Sequence, residues 1–573
     1  MKKLLIANRG EIAVRIVRAA RDYGLRSVAI YSDADATALH ARIADEAWGL
    51  GPGRPADTYL NIARIIECAQ RSGADAIHPG YGFLSESAEF AEAVMGAGLV
   101  WVGPSPETIR ILGDKLQARR IAASAGAPLV KGSDGALASA KEAVAFAHEV
   151  GLPIAIKAVF GGGGRGLKVA RRFDEVADLY DAASREAIEA FGKGDCYAEQ
   201  FLDRPRHVEA QILADCHGRI MVLGTRDCTL QRRNQKLVEE APAPFLSPEQ
   251  EYRIRESARS ICAEARYISA GTVEFLLSAT GVISFLEVNT RLQVEHGVTE
   301  EATGCDIVVE QLRIADGLPL SLIEAPPRCH AIEFRINAED PGRGFLPTPG
   351  RISRFDPPSG PGIRLDSGVE TGSTIPDLYD SLMAKLIVTG PDRKAVLSRA
   401  RRAFAEFQIE GVASTLSFHR AVIDNPDFAS DDFRIFTSWI EAEFPALPPA
   451  RRVTASEAGL TRFFVEIDGQ RHEIALPVDL ASTLSAVGGV RQAPDETSED
   501  RGVVTATIAG TLLSWLVPDG AEVTQGEPIA IIESMKMETR LPAPRSGRIF
   551  IQVAAGAALM PDTSIARIAP LDA

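Results

Sequence analysis

A chain of 573 residues is too long for one hydrophobic core and implies three or four domains. With 46% apolar and 24% charged residues it has an ordinary globular composition, and a net charge of -15 disfavours a polyanion such as nucleic acid as partner. Seven scattered cysteines without a CxxC pair argue against a disulfide framework or a zinc site, and no apolar run is long enough for a membrane span or a secretion signal, so a cytoplasmic location is expected.

From the N-terminus the chain alternates strand and helix. Leu4-Leu5-Ile6-Ala7 has a buried-strand pattern, Asn8-Arg9-Gly10 is a turn, and residues 11–23 form a helix with Ile12, Ile16, Ala19 and Ala20 on one face. Ser27-Val28-Ala29-Ile30-Tyr31 is the next strand, and such a βαβ unit predicts a parallel sheet. No GxGxxG follows the first strand, which sets a dinucleotide-binding domain aside. His78-Pro79-Gly80-Tyr81-Gly82-Phe83-Leu84-Ser85-Glu86 is too rich in glycine and aromatic residues for a helix and reads as a shaped loop beside a cleft.

Residues 114–203 are expected to form a small separate domain. There Pro153-Ile154-Ala155-Ile156-Lys157-Ala158 is a strand with one lysine, followed by Phe160-Gly161-Gly162-Gly163-Gly164-Arg165-Gly166 and the strand Leu167-Lys168-Val169-Ala170. Glycines lacking a Cβ let backbone N–H groups wrap phosphate oxygens. The Walker pattern is absent, and a lysine placed before the glycines resembles the ATP-grasp ligases, whose small domain closes over ATP and keeps water from an acyl phosphate. Downstream, Gly271-Thr272-Val273-Glu274-Phe275-Leu276 and Ile283-Ser284-Phe285-Leu286-Glu287-Val288-Asn289 read as two strands joined at Thr280-Gly281. Each sets an acidic residue among apolar neighbours, where a carboxylate needs a partner or a cation. Glu274 and Glu287, with Asn289 nearby, suit a Mg²⁺ (or Mn²⁺) nucleotide site, and salt bridges to arginine are the plainer alternative. Thr290-Arg291-Leu292-Gln293-Val294-Glu295-His296 then leaves the sheet dense in polar groups: Arg291 suits a small planar anion and Glu295 general-base work beside it.

Within residues 446–500 one hairpin is expected, from Phe463 to Leu476 with Asp468-Gly469 at its turn. Residues 478–500 read as a polar, mobile tether with an r.m.s. span of roughly 26 Å and a stretched limit of roughly 75 Å. Near the C-terminus, Glu533-Ser534-Met535-Lys536-Met537-Glu538 places a lysine between two methionines in a methionine-poor chain. It reads as the tip of a hairpin between the apolar strand at 527–532 and the alternating strand at 547–553.

The methionine-flanked lysine resembles the biotin attachment motif of biotin carboxyl carrier domains, commonly Ala-Met-Lys-Met, with Ser534 replacing alanine. Lipoyl domains share the sandwich but lack the paired methionines. Residues 1 to about 445 resemble biotin carboxylase, the ATP-grasp component of biotin-dependent carboxylases. The resemblance rests on Ala7-Asn8-Arg9-Gly10-Glu11-Ile12-Ala13, residues 78–86 and 161–166, Arg206-His207-Val208-Glu209, Arg226-Asp227-Cys228, residues 287–296 and Phe334-Arg335-Ile336-Asn337-Ala338-Glu339-Asp340. It implies an α/β fold with a Rossmann-like N-domain (1–113), a mobile ATP-grasp lid with its linker (114–203) and a C-terminal ATP-grasp/barrel region (204–445). A linker with a short hairpin (446–500) and an all-β biotinyl/lipoyl-like sandwich (501–573) follow.

The same resemblance implies roles. Lys115, Lys157, His207 and the loop glycines Gly162, Gly163, Gly164 and Gly166 would contact ATP phosphates, with Glu199, Leu202, Gln231 and Asn234 completing the nucleotide site. Glu274 and Glu287, beside Asn289, would hold Mg²⁺. Lys236, Arg291, Gln293 and Val294 would hold bicarbonate, with Tyr81 and Arg335 on the biotin side. Glu295 would deprotonate bicarbonate for attack on the γ-phosphate; the carboxyphosphate formed breaks down to CO₂ and phosphate, which takes the ureido proton of biotin while Arg335 steadies the resulting anion. Lys536 would carry covalent biotin.

Asn234 stands where many relatives have histidine and Gln200 where lysine is common, so ATP affinity is expected to differ while the chemistry survives. Thr507-Ile508-Ala509-Gly510 stands where relatives often have Pro-Met-Pro-Gly. No stretch reads as a carboxyltransferase domain, and residues 446–500 are too few for the docking domain of propionyl- and methylcrotonyl-CoA carboxylase α chains. The resemblance is thus to the α subunit of a bacterial acyl-CoA carboxylase of acetyl- or propionyl-CoA type. Its expected partners are a carboxyltransferase β subunit, biotin protein ligase and a second copy forming a biotin carboxylase homodimer within a larger hetero-oligomer. Alternatives are an α subunit for methylcrotonyl-, geranyl- or longer-chain acyl-CoA, an amide-forming ATP-grasp ligase with unmodified Lys536, and a carrier with an inactive ATP-grasp half.

Overall fold

The computed structural model describes residues 1–159, 167–323, 325–450, 460–467, 470–477, 502–507, 509–534, 537–560 and 563–570. Gly162, Gly163, Gly164 and Gly166, the turn Asp468-Gly469, the tether 478–500 and Lys536 lie outside the described residues.

Leu4, Leu5 and Ile6 are fully buried, as their apolar run predicts, in the middle strand of a parallel sheet. Its strands β1 (Lys3–Ile6), β2 (Arg26–Ser32), β3 (Glu46–Gly51), β4 (Ala76–His78) and β5 (Val100–Trp101) stand in the order β3-β2-β1-β4-β5. Helix Gly10–Tyr23 crosses from β1 to β2 with Ile12, Ile16, Ala19 and Ala20 buried, and ends on Gly24 at a left-handed φ of 87°. The order reverses at β1, so the loops after β1 and β4 meet at the carboxyl ends of neighbouring strands, where open α/β sheets build their sites. Asn8 Nδ2 ties those loops together by donating to the carbonyls of Pro79 and Tyr81, each at 2.7 Å.

The lid has its own small core. An antiparallel sheet ordered β7 (Leu167–Ala170), β6 (Ile154–Ala158), β8 (Cys196–Gln200) is backed by helices Ala140–Val150 and Val176–Phe191. That core begins later than residue 114. Helix Lys115–Ser124 commits Ala118 and Ala122, one turn apart, to the core of the central sheet with Val208, Ile212 and Phe275. A stripe of small side chains lets the helix lie close to that sheet, and polar residues around it disguised the stripe.

The central sheet has eight antiparallel strands. They run β13 (Ile283–Asn289), β12 (Ser269–Leu277), β9 (Arg206–Ala214), β10 (Ile220–Arg232), β11 (Gln235–Ala241), β14 (His330–Asn337), then Leu382–Gly390 and Ile363–Ser367. Helix Arg393–Glu406 and the following segments cover its far half around Phe334, Phe404, Phe418 and Trp439. This anchors one end of the sheet, and the lid covers the other.

The C-terminal domain is a sandwich of two four-stranded sheets. One holds Val503–Thr505, Ser564–Ala569, Gly547–Ile551 and Glu522–Val523; the other holds Met537–Pro542, Pro528–Ser534, Gly510–Trp515 and Ala558–Leu559. Leu512, Ile529, Ile532, Leu541, Ile549 and Ile568 fill the space between. The partner of Pro528–Ser534 is Met537–Pro542, in a register running from Ser534↔Met537 to Ala530↔Leu541, and the expected partner at 547–553 pairs in the opposite sheet. Exposed Glu538 and Arg540 gave the true strand the look of a loop; Leu541 is its inward residue. The linker hairpin forms as expected, Leu460–Ile467 against Gln470–Pro477. Among the described residues no helix is long and apolar enough to cross a membrane.

Candidate active site

Lid and central sheet enclose a cleft of about 420 Å³, and nearly every candidate residue in the described part of the chain lines it. At the nucleotide end, Lys115 opens helix Lys115–Ser124 and Lys157 projects from β6. Burial pushes the Lys115 ammonium down in pKa; Glu287 opposes this and Lys157 reinforces it. Lys157 donates to Glu199 on β8, whose other oxygen accepts from Arg119 Nη1 at 2.6 Å. Burial pushes Glu199 up, but Lys157 and Arg119 prevail and hold it below the usual carboxylate range. Gln200 and Leu202 follow Glu199 along the wall.

Gln231 and Asn234 line the cleft from the β10–β11 turn. Arg233 and Asn234 have φ of 47° and 64°, the paired left-handed geometry of a two-residue hairpin turn. Asparagine accepts this conformation more readily than most residues, which gives Asn234 a backbone reason beside any nucleotide contact.

The acidic centre follows from strand register. Glu274 on β12 and Glu287 on β13 are cross-strand partners, so two carboxylates face each other. Glu274 Oε1 accepts from Asn289 Nδ2 (2.8 Å), Lys236 Nζ (3.1 Å) and Gln293 Nε2 (3.3 Å), and Oε2 lies 2.9 Å from His207 Nε2. Burial raises both acids. Lys236 and His207 reverse this for Glu274, whereas Glu287, facing Glu274 with Lys115 as its main offset, stays raised. Opposed carboxylates, of which Glu287 stays short of positive charge, fit a hard divalent cation with oxygen ligands. Asn289 is used at both ends, its Oδ1 accepting from Arg291 Nη2 at 3.1 Å, so it braces the pair rather than offering a free ligand.

Beside them, Lys236 on β11 donates to Glu209 Oε2 (2.6 Å) and Glu295 Oε1 (2.6 Å) as well as to Glu274. Arg335 on β14 bridges Glu239, through Nε at 2.6 Å, and Glu295, through Nη2 at 2.9 Å. Glu295 is fully buried. Burial pushes it up, but Lys236, Arg335 and Arg226 together hold it well below its ordinary pKa. Arg291 is fixed by Glu86, Gln293 and Asn289. An incoming anion that draws on Lys236 and Arg335 weakens the pairs holding Glu295, so binding and base strength are coupled.

Two residues make contacts that the sequence did not suggest. The Val294 carbonyl accepts from Lys385 Nζ at 2.6 Å, a fully buried ammonium 3.3 Å from Glu11. Tyr81 does not line the cleft: its hydroxyl donates to Glu11 in a neighbouring recess with Arg9 and Asp380. Gly80 and Gly82, at φ of 64° and 65°, fold the loop so that Tyr81 turns toward Glu11 while Glu86 reaches Arg291.

Glu209, Arg226, Glu86, Glu239, Lys385 and Arg119 were not singled out from the sequence for these positions. Arg226, fully buried, donates to Glu209, Gln211, Thr299 and Thr272. A signal existed in β9, where His207, Glu209 and Gln211 alternate with Val208, Ala210 and Ile212, placing three polar groups on one face of a strand. Arg119 and Lys385 carried no comparable signal, since the carboxylate that Arg119 holds and the carbonyl that Lys385 holds are 80 and 91 residues away.

A lysine-bearing lid over a carboxylate-lined sheet, joined to a double-sheet carrier, defines an ATP-grasp ligase that serves a carrier domain. Residues 1–109 match "Biotin carboxylase, N-terminal domain", 114–323 "Carbamoyl-phosphate synthase L chain, ATP binding domain", 333–442 "Biotin carboxylase C-terminal domain" and 502–568 "Biotin-requiring enzyme". The biotin-dependent acyl-coenzyme A carboxylase alpha3 subunit of Mycobacterium leprae is 53% identical across 99% of this chain and 98% of its own length. The biotin carboxylase of a Nostoc species is 48% identical across 77% of this chain and 98% of its own. A solved biotin carboxylase complex from Campylobacter jejuni aligns with a TM-score of 0.75 at 40% identity, over 77% of this chain and 98% of that one. The biotin carboxylase domain of a Hydrogenobacter thermophilus 2-oxoglutarate carboxylase, solved with MgADP, ADP and bicarbonate, aligns at 0.74 with 44% identity over 77% and 97%. The chain belongs to the family of biotin-dependent acyl-CoA carboxylase α subunits, in which biotin carboxylase is fused to the biotinyl carrier.

Proposed function

We propose that this chain carboxylates biotin borne on its own Lys536, using ATP and bicarbonate, and passes the carboxyl group to a separate carboxyltransferase β subunit. The observation that carries the reading is the meeting of Lys236, Arg291 and Arg335 around Glu295, beside the opposed Glu274 and Glu287, in one cleft. Lys236 and Arg291 hold bicarbonate against the Gln293–Val294 turn, and Glu295 takes its proton. The freed oxygen attacks the γ-phosphorus of ATP, ADP leaves, and carboxyphosphate forms. That species splits into CO₂ and phosphate, phosphate removes the ureido proton, and the ureido nitrogen captures CO₂ while Arg335 balances the transient negative charge. Lys115, Lys157 and His207 bind the nucleotide phosphates. Mg²⁺ (or Mn²⁺), held by Glu274 and Glu287, neutralises phosphate charge when bound.

The acceptor is an acyl-CoA of acetyl or propionyl type, a choice made by the β subunit. Modification of Lys536 by a biotin protein ligase, pairing of two biotin carboxylase regions, assembly into a larger hetero-oligomer and residence in the cytoplasm complete the reading. Intact mass after co-expression with a biotin ligase tests it: one biotinyl increment, lost in Lys536→Ala, is expected. An unmodified Lys536 with ATP turnover indifferent to bicarbonate would instead favour an amide-forming ligase.

A further inference from the structure

Within three residues the chain passes from the body to the lid. The carbonyl of Pro128 accepts from Phe285 N (2.7 Å) and Val130 N donates to Ser284 Oγ (3.0 Å), so residues 128–130 are tied to β13 of the central sheet. Immediately afterwards Gln200 N donates to the carbonyl of Lys131 and Ser133 N to that of Ala198, both at 2.8 Å, with Gly132 bridged to Glu199, so residues 131–133 are tied to β8 of the lid. One side chain spans this crossing. Arg119, on a helix whose Ala118 and Ala122 sit in the body's core, donates through Nη2 to the Val130 carbonyl (3.0 Å) and through Nη1 to Glu199 Oε2 on the lid (2.6 Å). The backbone is shaped for it. A Cβ at Gly132 would stand 2.5 Å from Arg119 Nη2 and 3.1 Å from Cζ, so the guanidinium occupies space that only glycine leaves open.

Glu199 lines the cleft and Arg119 does not. Its second oxygen accepts from Lys157, the lid lysine assigned to ATP phosphate. Lys157 has three N–H donors but one charge, and charge spent neutralising Glu199 is withheld from a phosphate, because a buried carboxylate left short of cations is strongly unfavourable. With Arg119 in place the carboxylate keeps a partner when Lys157 turns to a phosphate.

We propose that Arg119 is a positioning residue for nucleotide binding: anchored at the lid hinge, it holds Glu199 and so releases Lys157 to the incoming phosphates. The proposal rests on reading this cleft as the ATP site. In an Arg119→Met variant Glu199 retains Lys157, and phosphate must compete for that lysine.

The test is steady-state ATPase of the biotinylated full-length chain, with bicarbonate and ATP varied separately and ATP affinity measured by equilibrium titration. Arg119→Met is expected to raise the KM for ATP about tenfold, the value of roughly one charge-assisted hydrogen bond, and to leave the KM for bicarbonate unchanged. Gly132→Ala keeps every charge but displaces the guanidinium, and is expected to act in the same direction even if Arg119→Met folds poorly. In a Glu199→Gln background, where the carboxylate that traps Lys157 is gone, Arg119→Met is expected to cost little further, a rescue that a merely structural role would not produce. An unchanged ATP KM in both Arg119→Met and Gly132→Ala would overturn the proposal, as would a full penalty persisting in the Glu199→Gln background. If the wild type itself fails to saturate with ATP, or if Lys157→Ala leaves its affinity unaltered, the ATP-site reading falls and takes the proposal with it.

Discussion

Replacing Glu295 by glutamine keeps the size of the side chain and removes its charge and its basicity. In the native cleft this carboxylate accepts from Lys236 at 2.6 Å and from Arg335 at 2.9 Å, with no exposure to solvent. Neither cation is stranded by the change, because Lys236 keeps Glu209 and Glu274 and Arg335 keeps Glu239. The stability loss should therefore stay at roughly 1.5–3 kcal/mol, the range for charged hydrogen bonds, and below the roughly 3–5 kcal/mol of a fully orphaned buried charge. Removing a general base costs about 10²- to 10⁴-fold in rate. Lys115, Lys157 and Glu199 lie at the other end of the cleft and do not bond to Glu295, so ATP affinity should stay within about twofold of wild type, well under 1 kcal/mol. The assay pairs chemical denaturation with bicarbonate-dependent ATPase and ATP titration. A rate within tenfold of wild type in a folded Glu295→Gln protein would refute the assignment of Glu295 as base.

Glu239 supplies a pH prediction. Burial raises its carboxyl from 4.5 to about 7 despite Arg335, with Glu295 adding to the rise. A folded-state pKa above the unfolded one means the folded protein holds the extra proton, so this stabilisation is present at low pH and fades as pH rises through about 7; denaturation midpoints on either side of 7 should converge in Glu239→Gln. Lys385→Met removes the donor to the Val294 carbonyl and leaves Glu11 without its ammonium, so a loss of roughly 3–5 kcal/mol in stability and a higher bicarbonate KM are expected from denaturation and ATPase assays. Glu287→Gln weakens the opposed carboxylate pair, and the Mg²⁺ concentration for half-maximal ATPase should rise severalfold; Mn²⁺ titration serves as the check.

Much of the site was legible because its chemistry is local in sequence. Two strands each carrying one acid, Glu274 and Glu287, predicted the hairpin and a shared metal site, and antiparallel register then makes the two acids cross-strand partners. The run from Arg291 to Glu295 leaves a strand end, and strand ends face clefts. The turn of Tyr81 toward Glu11 was not legible because it depends on two left-handed glycines that composition does not reveal. Arg119 and Lys385 escaped notice because their partners come from other segments, and a lone basic residue on a helix or strand ordinarily signals a solvated surface. The strand Met537–Pro542 was overlooked because a strand with one face in water has half its residues polar, and here the exposed positions include Glu538 and Arg540.

The most direct test follows one oxygen atom. Biotinylated protein is supplied with ATP and ¹⁸O-labelled bicarbonate, and the released phosphate is analysed by mass spectrometry before label exchanges with water. If bicarbonate oxygen attacks the γ-phosphorus, phosphate carries one ¹⁸O, and Glu295→Gln slows that transfer in step with turnover. Phosphate free of ¹⁸O during bicarbonate-dependent turnover would contradict the carboxyphosphate route and the roles assigned to Glu295, Lys236 and Arg291.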